Sequence, residues 1–426
     1  MTRTTDPDVD VLVVGAGAAG LACAADLAAA GLLPAVLEAA DRVGGRMATD
    51  LVDGFVLDRG FQVFNTAYPQ VRARLDLKPL RLRAFTPGFV IVRGGRRLLM
   101  ADPTRRPEAA AALLRAGVRP VDLAALGLLS ARDMLLPTAL LKRAADTSTD
   151  EALRRAGLSD PFVDGVVAPF LRGVFLEREL TTSSRVFHLV WRSMLRGSLC
   201  LPEQGIGAVP RQLADGLPPG TVRLRAGVTG ILDHGVQLAT GERLRARAVV
   251  VATGGTAAAR LLPGLRTAAS RAVTTVYHAA PRAPLDQPVL TVDGDGPLLH
   301  TSVVSNLHPG YAPDGQALVS TSLLGLADDE RLAAAERRLA ELYRTSTRRW
   351  ERVAAYRIEE ALPAMPAPHP LTRTSRIAPG RYVCGDHRGT GSLQGALASG
   401  ARAAREVLQD LAPDRGDPRR YACRSK

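Results

Sequence analysis

A chain of 426 residues, 46% hydrophobic and 23% charged, is too long for one small core and has the composition of a globular protein with two or three lobes. Its formal net charge of +13 is nearly all arginine, since Lys78, Lys142 and Lys426 are the three lysines. The arginines are scattered and aromatics make up only 4%, which argues against nucleic-acid binding and leaves an anionic substrate or membrane surface open. Cys23, Cys200, Cys384 and Cys423 lie far apart with no C-x-x-C and no metal-ligand spacing, so a reducing cytoplasm is the expected compartment. The polar N-terminus MTRTTDPDVD argues against a secretory signal.

The chain order begins with a short apolar run, Val9 to Val14, which reads as a buried strand. Gly15, Gly17 and Gly20 follow at G-x-G-x-x-G spacing, with a small-residue helix from about Ala18 to Ala30 behind them and Gly31 as its stop. Gly15 allows the tight turn, Gly17 lets a pyrophosphate approach the backbone, and Gly20 lets helix pack on strand. Glu38 closes the next apolar run 18 residues after Gly20, where a carboxylate can accept ribose hydroxyls. This is a dinucleotide site. Gly44, Gly45 and Arg46 then offer free backbone and a planar cationic fork to a second phosphate contact, which favours FAD over NAD.

Phe55 to Asp58 reads as a strand, followed by Arg59-Gly60-Phe61-Gln62 and a turn at Ala67-Tyr68-Pro69. Strand-like runs between Leu75 and Leu99 turn at Gly94-Gly95. Glu108 to Ala145 is helical, and its part from Val121 to Leu141 is expected to be a buried helical pair broken at Pro137. Peripheral contact with a membrane is the competing expectation there, although no Trp is present to anchor it. Helices continue from 150 to 200. Ala208 to Leu217 reads as a short helix, and strands are expected over Thr221–Ala226, Val228–Leu232 and Gly235–Leu238.

Ala248 to Ala252 is a fully apolar strand ending in Thr253-Gly254-Gly255, so the sequence returns to a dinucleotide-type sheet late in the chain. Thr274–Ala279, Leu298–Val304 and Ala317–Leu323 read as strands, Asp328–Thr345 as an amphipathic helix, and Leu362–Pro370 as a proline-rich connector. A last return to the sheet comes with Arg381-Tyr-Val-Cys-Gly385-Asp386, before a helix reaching Leu411 and a tail expected to fray.

Three separated blocks, GAGAAG…E…RVGGR, RAVVVATGG and YVCGDHRGTGSLQGALASGARAA, together resemble the flavin-containing amine oxidase / phytoene desaturase / protoporphyrinogen oxidase superfamily. The resemblance implies an α/β fold in which a glutathione-reductase-type FAD-binding Rossmann domain (1–75, 201–262, 371–412) is interleaved with an α+β substrate-binding domain (76–200, 263–370), ahead of a tail at 413–426. It also implies roles. Gly15, Gly17 and Gly20 would hold the pyrophosphate, Glu38 the adenosine ribose, and Arg46 would lie near the phosphates and the flavin. Val228 would give adenine backbone contacts, and Asp386 would bind ribityl or pyrophosphate oxygens. Leu393, Gln394, Gly395 and Ala396 would open a helix whose N-terminus stabilises negative charge around flavin N1 and O2. Ala18, Ala19, Ala39, Gly44, Gly45, Gly60, Phe61, Thr253, Gly385 and Ser392 complete the expected FAD-lining set.

Two departures bear on chemistry. The superfamily's amine oxidases place a lysine by flavin N5, and none of the three lysines here falls in a late strand. Where their cage tyrosine precedes M-E-G-A, this chain has Ser392 before Leu-Gln-Gly-Ala. The stretch Leu57 to Pro69 instead looks like that of plant-type phytoene desaturases. The expectation is a dehydrogenase or desaturase acting on a largely apolar small molecule and reoxidised by oxygen or a quinone-like acceptor. An amine or amino-acid oxidase and a flavin-binding protein without turnover remain open. Arg59 and His387 are the candidate catalytic residues; Tyr277, His278 and His300 are the candidate substrate residues.

Overall fold

The computed structural model describes residues 9–101 and 107–411; the expected tail and Cys423 lie outside the described residues. Two large sheets carry the architecture.

The first sheet is parallel at its centre, in the order Val222–Arg223, Pro34–Leu37, Val9–Val14, Arg243–Val251, Arg381–Val383. Val11 pairs with Ala248 and Val14 with Val251, so the first apolar run lies beside the late one. Alternate residues point to opposite faces, and both faces are covered. Val11, Val13, Val36, Ala248 and Val250 pack under the helices Ala18–Ala29 and Leu393–Leu411. Leu12, Val14, Leu37 and Val249 pack with Val236 and Leu238 of a meander, Val228–Leu232 and Gly235–Leu238, that joins the near half of Arg243–Val251. The two helices approach closely because Gly400 faces the Ala19 carbonyl, where a Cβ would overlap it.

The second sheet has seven strands, ordered Glu351–Pro363, Ser270–Ala280, Ala317–Leu324, Leu298–Val303, Leu290–Asp293, Phe89–Arg93, Arg96–Met100. Only the pairing of Leu290–Asp293 with Phe89–Arg93 is parallel. The helix Asp329–Tyr343 covers one face with Leu332, Ala335, Leu339 and Leu342, and Asp328 caps it by accepting from Arg331 N. The other face meets the hairpin Thr49–Val52/Phe55–Asp58, the Phe61 turn and the helix Ala168–Phe175.

Two elements differ from expectation. Glu351–Pro363 is a 13-residue strand that the sequence hid, because it is a half-exposed edge strand with charges among its apolar positions. The segment from Val121 to Leu141 does form two helices broken at Pro137, Pro120–Leu135 and Thr138–Arg143. They are not a buried pair, since one face of the first is open to solvent.

Candidate functional site

The first strand of the parallel sheet delivers the chain into a turn that has almost no side chains. Gly15 takes φ +106°, a conformation costly for any other residue, and Gly20 lies so close to the Gly15 carbonyl that a Cβ would overlap it. At Gly17 a Cβ would meet nothing within 4 Å, and at Gly45 only the Gly17 Cα, 3.8 Å away. Gly17 and Gly44 bridge in parallel, with Gly44 N donating to Ala16 O at 2.9 Å. Two bare backbone turns therefore stand side by side. The helix behind them starts after Gly17 with no side-chain cap and no acid in its first turn, leaving the N–H groups of Ala18, Ala19 and Gly20 for an anion. A diphosphate fits this cradle in both shape and charge.

Glu38 stands at its rim. One carboxylate oxygen accepts from Ala16 N (2.7 Å) and the other from Ala40 N (2.9 Å), so each keeps a lone pair for a ribose hydroxyl. Gly227, just before Val228, lies against Ala39, which brings the start of the meander to the expected adenine end. Thr253 packs its methyl group toward Gly15 from the late strand.

Arg46 joins regions far apart in the chain. Its guanidinium donates to Asp386 (2.6 Å) and to the Ala361 carbonyl (2.9 Å), yet 39% of the side chain remains accessible. Burial disfavours its charge, and the Asp386 carboxylate more than offsets this, so its pKa is raised. The fork expected to face phosphate is thus partly spent on Asp386, which is itself buried. The helix Leu393–Leu411 begins where the sequence placed it. Ser392 Oγ accepts from Gly395 N (3.0 Å), and Gln394 Oε1 accepts from Gln70 N (2.9 Å), so this side chain caps another helix rather than standing free.

Gly60 and Phe61 connect this half to the second sheet. Phe61 N donates to Thr275 Oγ1 (3.3 Å), and Gln62 Nε2 donates to Arg46 O (2.6 Å), so the turn is anchored on both sides. Thr275, Ser322 and His300 lie in register across three neighbouring strands and share the face that Phe61 meets. The Phe61 and His300 rings are 4.6 Å apart. Burial lowers the His300 pKa to about 4, so the ring is neutral near pH 7, and its Nε2 has no hydrogen-bond partner. Thr275 and Ser322 hydroxyls pair at 3.1 Å. Sequence reasoning missed Thr275, Ser322 and Gln62, and only the register across strands brings the first two together.

The five chemical candidates fall in different places. Arg59 donates to Asp50 (2.8 Å) beside the Tyr356 ring and is half exposed, a surface ion pair. His387 packs against Gly385 with both ring nitrogens buried and unpartnered, and burial lowers its pKa to about 4. Neither presents a group to the Phe61–His300 face. His278 points to the opposite face, where it meets Glu336 (3.2 Å) and Trp350. Tyr277 lies on the right face, but its hydroxyl is committed to the Asp58 carbonyl at 2.9 Å. Of the five, His300 is the one whose ring meets Phe61.

A family model described as flavin containing amine oxidoreductase matches residues 18–408. The putrescine oxidase of Kocuria rosea is 51% identical over 67 residues, a match that spans 16% of this chain and only 14% of that protein. The coproporphyrinogen III oxidase of Propionibacterium freudenreichii subsp. freudenreichii is 26% identical over a 418-residue alignment covering 78% of each chain. An oxidoreductase from Methanosarcina mazei superposes with a TM-score of 0.71 at 17% identity, over 94% of this chain and all of that one, which is a likeness of fold. The family match and the bare glycine cradle agree on FAD as the cofactor, and the chain belongs to the flavin-containing amine oxidoreductase family as an FAD-dependent oxidoreductase.

Proposed function

We propose that this oxidoreductase dehydrogenates an uncharged, largely apolar small molecule. The observation that carries the reading is the sheet face opposite Phe61, where Thr275, Ser322 and a neutral His300 stand on three adjacent strands with no lysine or carboxylate in that row. An ammonium substrate would have to be desolvated there without a compensating charge, which is costly. When bound, FAD would supply a two-electron acceptor for hydride from a substrate C–H bond, the second hydrogen leaving the substrate as a proton to solvent, with oxygen or a quinone-like compound as the terminal acceptor.

The chain's own residues then have separable tasks. The parallel sheet, with its glycine turns, Glu38 and the first turn of the helix Ala18–Ala29, acts as the FAD-binding unit. The seven-stranded sheet and the helices between 107 and 196 act as the substrate unit, joined to the first by the hydrogen bond from Arg46 to the Ala361 carbonyl and by the Phe61 turn. Phe61 and Phe85, with ring centroids 6.0 Å apart, keep water from the face, and His300 offers a neutral ring beside them. Among the relatives, the coproporphyrinogen III oxidase acts, by its name, on a porphyrinogen, which keeps that class beside polyenes as a probe.

The test is anaerobic reduction of the holoenzyme with a long polyene, a porphyrinogen, and mono- and diamines. Loss of the visible flavin absorbance with a polyene or porphyrinogen, and not with amines, is the expected result. Bleaching by an amine overturns the proposal in favour of an amine oxidase. No bleaching by any of them overturns it in favour of flavin binding without turnover.

A further inference from the structure

The helix Pro120–Leu135 buries Ala125 and Leu129 in the core, and both of its acids are buried beside them. Asp122 accepts from the Ser159 N–H and hydroxyl (2.7 and 2.8 Å), and Asp133 pairs with His188 Nδ1 at 2.7 Å. Ser130 accepts from Trp191 Nε1 at 3.0 Å, and Arg192 binds the Met134 and Leu136 carbonyls at the helix end, each at 2.9 Å. The inward side of the helix is thereby tied to Ser159 and to the helix Ser184–Arg196, and a second apolar side faces outward.

That outward side is Val121, Ala124, Leu128, Ala131 and Leu135, all exposed and spaced to form one stripe. Val121 is 50% exposed, Leu128 74% and Leu135 82%, and Leu140 just beyond Pro137 is 52% exposed. Among the described residues ten large hydrophobic side chains are exposed, and four of them are these, within 20 positions of one another. A monomer in water gains nothing from this arrangement. Arg119, Arg132, Lys142 and Arg143 stand exposed along the same stretch, while its acids face inward.

We propose that this face docks on a bilayer surface containing anionic phospholipid, with the leucines in the interfacial region and the basic side chains at headgroup level. Charge decides between the two surfaces that could cover an apolar stripe. A second copy in two-fold contact would set the same cations against each other, whereas anionic headgroups complement them. The helix has 16 residues, and among the described residues no helix is long and apolar enough to cross a membrane, so the contact is with one leaflet.

The test is flotation of the FAD-loaded protein with phosphatidylcholine vesicles, with and without phosphatidylglycerol. The protein is expected to float with the anionic vesicles and to be released by raised salt. The double variants Leu128→Asp/Leu135→Asp and Arg132→Glu/Lys142→Glu should each partition about tenfold less, with flavin absorbance unchanged to show that the fold persists. Failure of the unaltered protein to float, or flotation of both variants equal to that of the unaltered protein, overturns the proposal. So does a self-associated protein that Leu128→Asp/Leu135→Asp converts to single chains, since a second copy would then be the occupant.

Discussion

The two sheets bury themselves differently, and they carry function differently as a result. The parallel sheet is covered on both faces, so the side chains of its central strands are committed to the core where the ligand turn begins, and what remains for a ligand is backbone: the bare turns at Gly17 and Gly45 and the uncapped start of a helix. The seven-stranded sheet packs the helix Asp329–Tyr343 on one face, and its other face, partly covered by the helix Ala168–Phe175 and a hairpin, holds side chains, Thr275, Ser322 and His300, toward the Phe61 turn. A function carried by backbone is lost by adding atoms. One carried by side chains is lost by exchanging them.

Gly17→Val is the largest expected break. The added side chain meets no protein atom at its Cβ, so the fold should tolerate it, but it would occupy the space through which a diphosphate reaches the helix N–H groups. Loss of two charge-assisted hydrogen bonds is about 4 kcal/mol, roughly a thousandfold weaker FAD binding. The check is FAD titration alongside thermal melting of the apoprotein. A colourless variant that melts like wild-type apoprotein is expected, and full FAD retention would break the comparison.

Asp58 links the two sheets, and its effect is read through pH. Its carbonyl accepts from Tyr277, while its buried carboxylate accepts from Thr49 Oγ1 (2.6 Å) and Ile206 N (2.8 Å). Burial raises its pKa to about 6, so between the ordinary carboxylate range and that value the folded state holds the extra proton. Stability from this group therefore falls as pH rises through that interval, by about 3 kcal/mol. His300 and His387, lowered to about 4 by burial, act in the opposite sense and add stability as pH rises toward 6.5. The Asp58 contribution is isolated by subtraction. Asp58→Asn keeps an oxygen for Thr49 and Ile206, and should gain about 3 kcal/mol on wild type between about pH 4 and pH 7. Parallel denaturant curves at both pH values would contradict it.

Gly400→Ala tests the backbone half without touching the cradle. The new methyl overlaps the Ala19 carbonyl where the two helices meet, and overpacking of this kind costs about 2 kcal/mol. Denaturant unfolding should show that loss while FAD affinity of the folded protein holds. A matching fall in affinity would mean that the helix contact also sets the cradle's shape.

The same contrast explains what the sequence could say. The parallel sheet was legible because burial on both faces writes continuous apolar runs, and because Gly15, Gly17 and Gly20 are needed for backbone reasons that spacing alone reveals. Arg46 was legible as a cation near anions, but not its commitment to Asp386, a partner 340 positions away. In the second sheet His278 and His300 both sit in readable strands. Alternation separates the two faces of a strand without saying which face meets the site, and that is decided by pairing with distant strands. Glu351–Pro363 was invisible for a related reason: its burial comes from one neighbour, so its sequence carries no clean pattern.

Thr275→Val is the smallest expected effect and probes the side-chain half most closely. The hydroxyl accepts from Phe61 N and pairs with Ser322, so it holds the turn against the sheet rather than standing free for a substrate. Valine keeps the shape and removes these bonds, leaving the half-buried Phe61 N–H and the buried Ser322 hydroxyl each short of a partner. The expected loss is about 1 kcal/mol in denaturant unfolding, with FAD affinity unchanged. Turnover should fall only as far as Phe61 shifts, about threefold, and a Ser322→Ala change made in the same protein should add little, because both act on one contact. A fall of kcat/KM beyond about a hundredfold at unchanged stability would instead place the Thr275 hydroxyl on the substrate itself.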